Sequence, residues 1–142
     1  MTWSIVARAA DGAFGIAIAS RFFAVGMLCP HVRSGVGAVA TQALVNPMYG
    51  QKGLDLLEEG VPFLSVIEKL VNEDEGQAHR QVHLIDTNGK VAAHTGSACI
   101  DWCGHLAGEG FSVAGNMLAG PGVIQETALA FPKNKNLPHV FI

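Results

Sequence analysis

Two hairpin dipeptides limit the folds open to this chain more than any other feature of its sequence. Asp11-Gly12 and Asn88-Gly89 each stand between two stretches of strand-forming residues. Glycine after Asp or Asn accepts the positive φ angle that a two-residue hairpin turn requires. We therefore predict two antiparallel hairpins, with strands at residues 3–6, 14–19, 81–86 and 91–95.

The segment between the hairpins carries the signals of two helices. Asn46 is a good N-cap and Pro47 is tolerated in a first turn, after which apolar residues recur at helical spacing. A second apolar stripe begins near Pro62, with charged residues on the opposite face. We predict helices over residues 46–60 and 62–71.

The remaining elements are shorter. The small residues of segment 35–41 predict a strand that is buried on both faces, and residues 111–114 predict one more strand. Residues 123–131 predict a short helix, and residues 132–142 look irregular. Because strands and helices do not alternate, we expect an α+β fold with antiparallel sheet and with helices on one side of it.

Composition and charge narrow the classes of function. The 142 residues have the size of one domain, and 49% hydrophobic against 15% charged residues indicates elements covered on more than one face. The net charge is -3 and the basic residues form no stripe, so we expect no nucleic acid and no membrane partner. No segment reads as a signal peptide or a spanning helix, which predicts a cytoplasmic protein.

The cysteines favour neither disulfides nor a metal site. Three cysteines without an export signal are expected to stay reduced. Cys99, Cys103 and His105 have a C-x3-C-x-H spacing, but no second half of a zinc site follows. Because no glycine-rich loop has phosphate-binding spacing either, we predict no metal and no cofactor.

The second residue carries chemistry of its own. Methionine is generally removed before a small residue, and Thr2 would then have a free α-amine beside its hydroxyl. With a pKa of about 7.7–8.0, that amine can accept the hydroxyl proton as the oxygen attacks a carbonyl. Threonine is also common in strands, so its position alone does not establish catalysis. The first hairpin would place Ser20 and Arg21 beside Thr2.

Six blocks carry a family resemblance: residues 2–8, 19–26, 35–43, 46–50, 102–105 and 115–120. They resemble the uncharacterised bacterial family called domain of unknown function 1028 (DUF1028), and the likeness covers most of residues 2–125. The resemblance implies an N-terminal nucleophile hydrolase with a four-layer αββα sandwich, in which two antiparallel sheets lie between outer helices. It also implies cleavage of an amide bond in a small-molecule substrate.

The resemblance further implies the catalytic residues. Thr2 would be both nucleophile and base, and Arg21 would tune the amine or hold a substrate carboxylate. Asn116 would donate its side-chain amide to the developing oxyanion, although it can equally be a turn former.

Three other residues are expected to bind substrate. Ser20 would hydrogen-bond the amine of the nucleophile. Thr41 and Gln42 close a strand of small residues, where they either line the pocket or satisfy backbone groups. His94 and His105 are better interpreted as structural residues.

Two other functions stay open. The chain can be an inactive relative that serves as a ligand-binding or assembly module. It can also use an internal nucleophile, for which Ser4, Cys29 and Cys99 are candidates, although neither thiol has an obvious local base. Family members generally continue further, and residues 132–142 match no family block, so we expect an uncovered sheet edge and a homodimer.

Overall fold

The computed structural model describes residues 1–134, which form eight β-strands and four α-helices. One turn of 3-10 helix, Gln77–His79, precedes the fifth strand. The strands are β1 Thr2–Arg8, β2 Phe14–Ser20, β3 Pro30–Arg33, β4 Gly37–Ala43, β5 Arg80–Asp86, β6 Val91–Thr95, β7 Trp102–Gly108 and β8 Phe111–Leu118. The helices are α1 Val25–Leu28, α2 Met48–Glu58, α3 Phe63–Asn72 and α4 Gly122–Asn134.

The strands form two antiparallel sheets, in the orders β2-β1-β8-β7 and β3-β4-β5-β6. Strands β1 and β2 pair around Gly12, and strands β5 and β6 pair around Gly89. These two glycines have φ angles of 92° and 76°, which is the conformation that the turns require. Both predicted hairpins are confirmed, and the chain is a mixed α+β protein with two antiparallel sheets.

Strand β4 shows why its sequence is small and apolar. Ala38 and Ala40 are fully buried against Val6 of the other sheet, while Val39 points the opposite way, into the core beneath α2 and α3. Small side chains on the inner face let the two sheets approach closely. The prediction that this strand is buried on both faces is confirmed.

Helices cover the outer faces of both sheets. Helices α2 and α3 bury Leu54 and Val66 against the sheet that contains β4. Helix α4 packs against β7 and β8 and buries Ile124 beside Ile5. The expectation of helices on one side is therefore wrong, because α4 follows β8 and returns across the sheet that β8 shares with β1. No helix in residues 1–134 is both long and apolar enough to span a membrane.

Besides the turn of 3-10 helix, three elements were not predicted. Strand β3 has four residues and begins with Pro30, which is tolerated at the first position of an edge strand. Strand β7 contains glycine at positions 104 and 108 and lacks a regular apolar alternation. Helix α1 is a single turn. Such short or irregular elements depend on their neighbours in the fold and leave little pattern in the sequence.

The last helix continues beyond its predicted end. Helix α4 runs to Asn134 and includes Pro132. Proline at this position removes the backbone hydrogen bond to the carbonyl of residue 128 and crowds that carbonyl, but only the last turn of the helix follows it. The predicted irregular conformation is wrong for residues 132–134, while residues 135–142 lie outside the described part of the chain.

Candidate functional site

Thr2 lies at the start of β1, in the middle of a row of three polar residues. It is opposite Ser20 on β2 and opposite Asn116 on β8. Its side-chain oxygen Oγ1 is 3.0 Å from Oγ of Ser20, and the residue is only 8% exposed. The sheet order β2-β1-β8 therefore brings together three residues that are far apart in the sequence, and the first hairpin had predicted that Ser20 lies beside Thr2.

Ser20 fixes the direction of the hydrogen bonds around Thr2. Its hydroxyl donates its single hydrogen to the carbonyl oxygen of Met1, at 3.0 Å, so Thr2 Oγ1 donates to Ser20 Oγ. The backbone N–H of Phe22 also donates to Ser20 Oγ, at 3.0 Å. The carbonyl of Met1 thus occupies the Ser20 hydroxyl in this structure.

Arg21 reaches the site through its backbone. Its N–H donates to the carbonyl oxygen of Met1 at 3.4 Å, whereas its side chain is exposed and is not part of the described cavity wall. The predicted role of the guanidinium, either tuning the amine or binding a carboxylate, stays a prediction.

A cavity of about 490 Å³ opens beside Thr2. The polar side chains in its wall include Thr2, Ser20, Gln42 and Asn116, and much of the remaining wall is apolar. No Asp, Glu, Lys or Arg side chain contributes to the described wall. Apolar wall residues include Phe22, Val25, Leu44, Ile100 and Met117.

Two residues at the end of β4, Thr41 and Gln42, were predicted to bind substrate. Only one of them is in the described cavity wall. Gln42 lines it, whereas the Thr41 hydroxyl donates to the carbonyl of Asn46 at 3.2 Å. Thr41 is fully buried, and its hydroxyl satisfies a backbone carbonyl near the end of the loop before α2.

Behind the cavity, Gln81 organises a buried polar network. Its Nε2 group donates to the backbone carbonyls of Gly104 and Gly115, at 3.0 and 2.9 Å, which fixes the orientation of its amide. Its Oε1 atom then accepts hydrogen bonds from Gln42 Nε2, at 2.8 Å, and from Asn116 Nδ2, at 3.0 Å. The two amides in the cavity wall are therefore held by one buried residue.

The orientation of the Gln42 amide also determines which ring nitrogen of His83 carries the hydrogen. Gln42 Oε1 accepts the hydroxyl hydrogen of Ser4 at 2.6 Å, so the contact of 2.8 Å between Ser4 Oγ and His83 Nε2 requires the imidazole to donate. Nδ1 of His83 is then the acceptor for the hydroxyl of Ser112, at 3.0 Å. Burial, with a smaller contribution from the charge of His105, lowers the pKa of His83 to about 3. The imidazole is therefore neutral in the fold.

Two of the four non-glycine residues with positive φ angles among the described residues line the cavity. Ala43 and Met117 both line it, and their φ angles are 68° and 54°, in the left-handed region that side chains disfavour. In β8, Asn116 and Met117 occupy the space opposite the single residue Cys103, so the strand has a β-bulge there. The bulge keeps Asn116 buried while Met117 is 41% exposed. Such strain persists where the surrounding structure over-determines it, often at functional sites.

An ion pair holds one wall of the cavity. Arg80 Nε donates to Asp74 Oδ2 at 2.9 Å, and Arg80 Nη1 donates to the carbonyl of Leu44 at 2.7 Å. The Arg80 guanidinium keeps the pKa of the Asp74 carboxyl well below its usual range. The charge of Arg80 is thus compensated by Asp74, while its second bond positions the loop after β4.

The internal nucleophile candidates are poorly placed for reaction. Burial raises the pKa of the Cys29 thiol to about 11, and burial together with Cys103 raises the pKa of Cys99, so both thiols are protonated near neutral pH. Ser4 is fully buried within the polar network. Among residues 1–134, no group of three His, Cys, Asp or Glu side chains has the geometry of a metal site.

His94 and His105 have structural partners in the fold. His94 Nε2 lies 3.0 Å from the carbonyl of Gln77, and His105 Nδ1 lies 2.9 Å from Thr95 Oγ1. The network around Gln81 and His83 was not predicted. Its signal in the sequence is the pair of polar residues Gln81 and His83, which alternate with Val82 and Leu84 in β5.

Comparison with known proteins identifies the family. The model described as "Family of unknown function (DUF1028)" matches residues 2–142, and the chain belongs to this family. The match also extends over residues 126–142, which lie beyond the resemblance seen in the sequence. No curated protein matches the chain.

A solved structure supports the fold. The chain is similar to a protein from Silicibacter pomeroyi that also carries the DUF1028 family model, with 30% identity and a TM-score of 0.89. The similarity covers 92% of this chain and 61% of that one, so the chain spans less than two thirds of the length of the solved protein.

Proposed function

We propose that this member of DUF1028 is an N-terminal nucleophile amidohydrolase that cleaves an amide bond in a small substrate. Thr2 is the nucleophile, and its own α-amine is the base once Met1 has been removed. We also propose that the two sheets with their outer helices are the four-layer αββα sandwich of the N-terminal nucleophile hydrolases.

The position of Thr2 carries this proposal. Thr2 begins a central strand of its sheet and lines a cavity large enough for a small molecule, while Ser20 and Asn116 flank it. Met1 is 42% exposed at the same cavity, which leaves it accessible to an aminopeptidase. Removal of one accessible residue would place an amine and a hydroxyl on the same cavity-lining residue.

The reaction needs no other base. The Thr2 amine accepts the hydroxyl proton as Oγ1 forms a bond to the amide carbonyl carbon, and the carbonyl oxygen becomes an oxyanion. Collapse of this intermediate breaks the C–N bond, and the ammonium returns the proton to the leaving amine. Water then attacks the ester with the amine again as base, which releases the carboxylic acid and regenerates Thr2.

Asn116 is a suitable donor to the oxyanion. One hydrogen of its Nδ2 group goes to Gln81, and no residue in the described part of the chain accepts the other. Because Gln81 is itself fixed by two backbone carbonyls, the orientation of this amide is set before substrate binds. Loss of a preorganised donor of this kind costs about 100- to 1,000-fold in kcat.

Intact-mass spectrometry with a hydroxyl-reactive acylating probe tests the proposal. We expect purified protein that lacks Met1 and gains one label, located on Thr2. Thr2→Ala should lose the label while Met1 is still removed, because alanine is also small. Thr2→Ser is the matched variant and should keep the label, since serine supplies both hydroxyl and amine.

Controls distinguish the other nucleophiles. Cys29→Ala and Cys99→Ala should be labelled like the original protein, and circular dichroism should show that every variant is folded. A label that persists in Thr2→Ala would refute Thr2 as nucleophile. Retention of Met1 without any labelling would favour a ligand-binding relative instead.

A further inference from the structure

The chemistry of the cavity wall limits which amides it can accept. Its hydrogen-bonding side chains at the reaction centre are Thr2 and its neighbours Ser20 and Asn116, with Gln42 joined to Asn116 through Gln81. Because Thr2 is the register partner of both Ser20 and Asn116, these groups form one polar patch. Away from this patch, the described wall is largely apolar and includes Phe22, Val25, Leu44, Ala98, Ile100 and Met117.

Charged groups are scarce in this wall. The side chains of the described wall include no carboxylate, ammonium or guanidinium, and one imidazole, that of His79, also lines it. Burial keeps the Cys29 and Cys99 thiols protonated. The guanidinium of Arg80, behind the loop after β4, is already paired with Asp74. A charged acyl group would therefore lose hydration in this cavity without gaining a carboxylate, ammonium or guanidinium side chain as a partner, and the Thr2 amine must be neutral when it acts as the base.

The covalent step decides which half of the substrate the cavity must hold. In the proposed reaction the acyl group stays bonded to Thr2 Oγ1 in the ester, whereas the amine leaves. The acyl group is thus the part that has to fit beside Thr2 throughout the cycle. From there the apolar wall continues to the rim of the cavity, which is formed by Leu44 and Ile100. Both residues line the cavity and are 61% and 62% exposed.

We propose that the substrate is an N-acyl amide whose acyl group is an uncharged, apolar chain, held between the loop after β4 and the segment before β7. This inference rests on the proposed function. It specifies that binding energy comes from burial of hydrocarbon beside Thr2 and not from an ion pair with a substrate carboxylate.

A series of acyl p-nitroanilides tests the acyl preference. With acetyl, butanoyl, hexanoyl and octanoyl groups on one leaving amine, kcat/KM should rise by about three- to fourfold for each methylene that the cavity buries. A succinyl anilide, which has a carboxylate in place of a methyl group, should be at least tenfold poorer than the butanoyl compound. Equal or better hydrolysis of the acetyl or succinyl compound would overturn the inference and leave the hydrolase intact.

A charge placed in the rim provides a second test. Ile100→Lys should lower kcat/KM for the octanoyl anilide at least tenfold and improve the ratio of succinyl to butanoyl hydrolysis. Leu129→Lys is the matched control, because Leu129 is 60% exposed on α4 and does not line the cavity. Equal effects of the two substitutions would show that the rim does not contact the acyl group.

Binding separates failure of this inference from failure of the proposed function. If no anilide is hydrolysed, titration calorimetry with octanamide and with succinamic acid still measures the preference of the cavity. Tighter binding of octanamide, lost in Ile100→Lys and kept in Leu129→Lys, would support an apolar ligand in a protein that is not a hydrolase. Tighter binding of succinamic acid, or no binding of either compound, would overturn the inference.

Discussion

His83 lies between the two sheets as a neutral imidazole. A chain of hydrogen bonds determines which of its two ring nitrogens carries the hydrogen. The backbone carbonyls of Gly104 and Gly115 orient Gln81, which orients Gln42, which in turn orients Ser4 and the imidazole. A second proton on His83 would leave Nδ1 without its role as acceptor from Ser112. Burial and the hydrogen-bond network therefore both disfavour the protonated imidazole.

This burial predicts how stability depends on pH. The folded pKa of His83 is lowered from 6.5 to about 3, so the unfolded state binds more protons between these values. The free energy of unfolding should be largest above pH 6.5 and should fall as the pH is lowered from 6.5 toward 3. Urea unfolding at pH 7.5 and pH 4.5 measures the change.

A pair of substitutions assigns that change to His83. In His83→Gln the amide replaces the donor to Ser4 but does not titrate, so stability at pH 7.5 should fall while the dependence on pH becomes weaker. The matched control is His79→Gln, which makes the same substitution at an exposed histidine outside this buried network. An unchanged pH dependence in His83→Gln would contradict this account.

The sequence predicted individual residues where their properties depend only on the neighbouring chain. The hydroxyl of Thr2 and the pairing of Thr2 with Ser20 follow from chain position and from one hairpin. Thr41 and Gln42 are neighbours in sequence, yet only Gln42 lines the cavity, because successive side chains of a strand point to opposite faces. The face of each residue depends on where the second sheet packs, which the sequence of one strand does not specify.

Among the secondary-structure elements, the ends of β4 and β8 shape the cavity. Strand β4 ends at Ala43 with a φ angle of 68°, and β8 has a bulge at Met117 with a φ angle of 54°. A side chain in the left-handed region costs about 1–2 kcal/mol, so each residue lowers stability while it gives the wall its shape.

Glycine at the strained end of β4 should stabilise the fold. Ala43→Gly relieves the left-handed strain but adds disorder to the unfolded chain, so the net gain should be about 0.5–1 kcal/mol in the free energy of unfolding. Ala17→Gly in β2 is the control, because Ala17 is exposed in an ordinary strand, and it should lose about 0.5–1 kcal/mol. Equal losses in both variants would show that the positive φ angle of Ala43 stores no strain.

Elements with internal signals were predictable and elements that depend on neighbours were not. The hairpin around Gly89 and the apolar stripe of α3 are encoded within short segments. Strand β3 has only four residues, and β7 lacks a regular apolar alternation, so neither carries a signal of its own. Helix α4 covers the outer face of its sheet because β8 lies inside that sheet, between β1 and β7. No pattern within a short segment of the sequence indicates this position of β8.

At the scale of the whole molecule, both sheets contribute to one cavity. One sheet supplies Thr2, Ser20 and Asn116, and the other supplies Gln42, while Gln81 links Gln42 to Asn116 across the interface between the sheets. The interface therefore does more than bury apolar surface, since its hydrogen bonds fix amides that face the cavity. The composition predicted elements that are covered on more than one face, but it did not predict polar groups at the centre of the interface.

The central claim is that Thr2 acts through its own amine, and the pH dependence of acylation tests it directly. The rate of probe attachment should be measured from pH 6 to pH 9 on protein without Met1 and on protein in which Met1 has been retained. The amine must be neutral to accept a proton, so the rate of the processed protein should rise with pH and level off above about pH 8. Protein that retains Met1 should not be labelled at Thr2. Equal labelling of Thr2 in both forms would contradict the claim, because the Thr2 nitrogen is then an amide and cannot serve as the base.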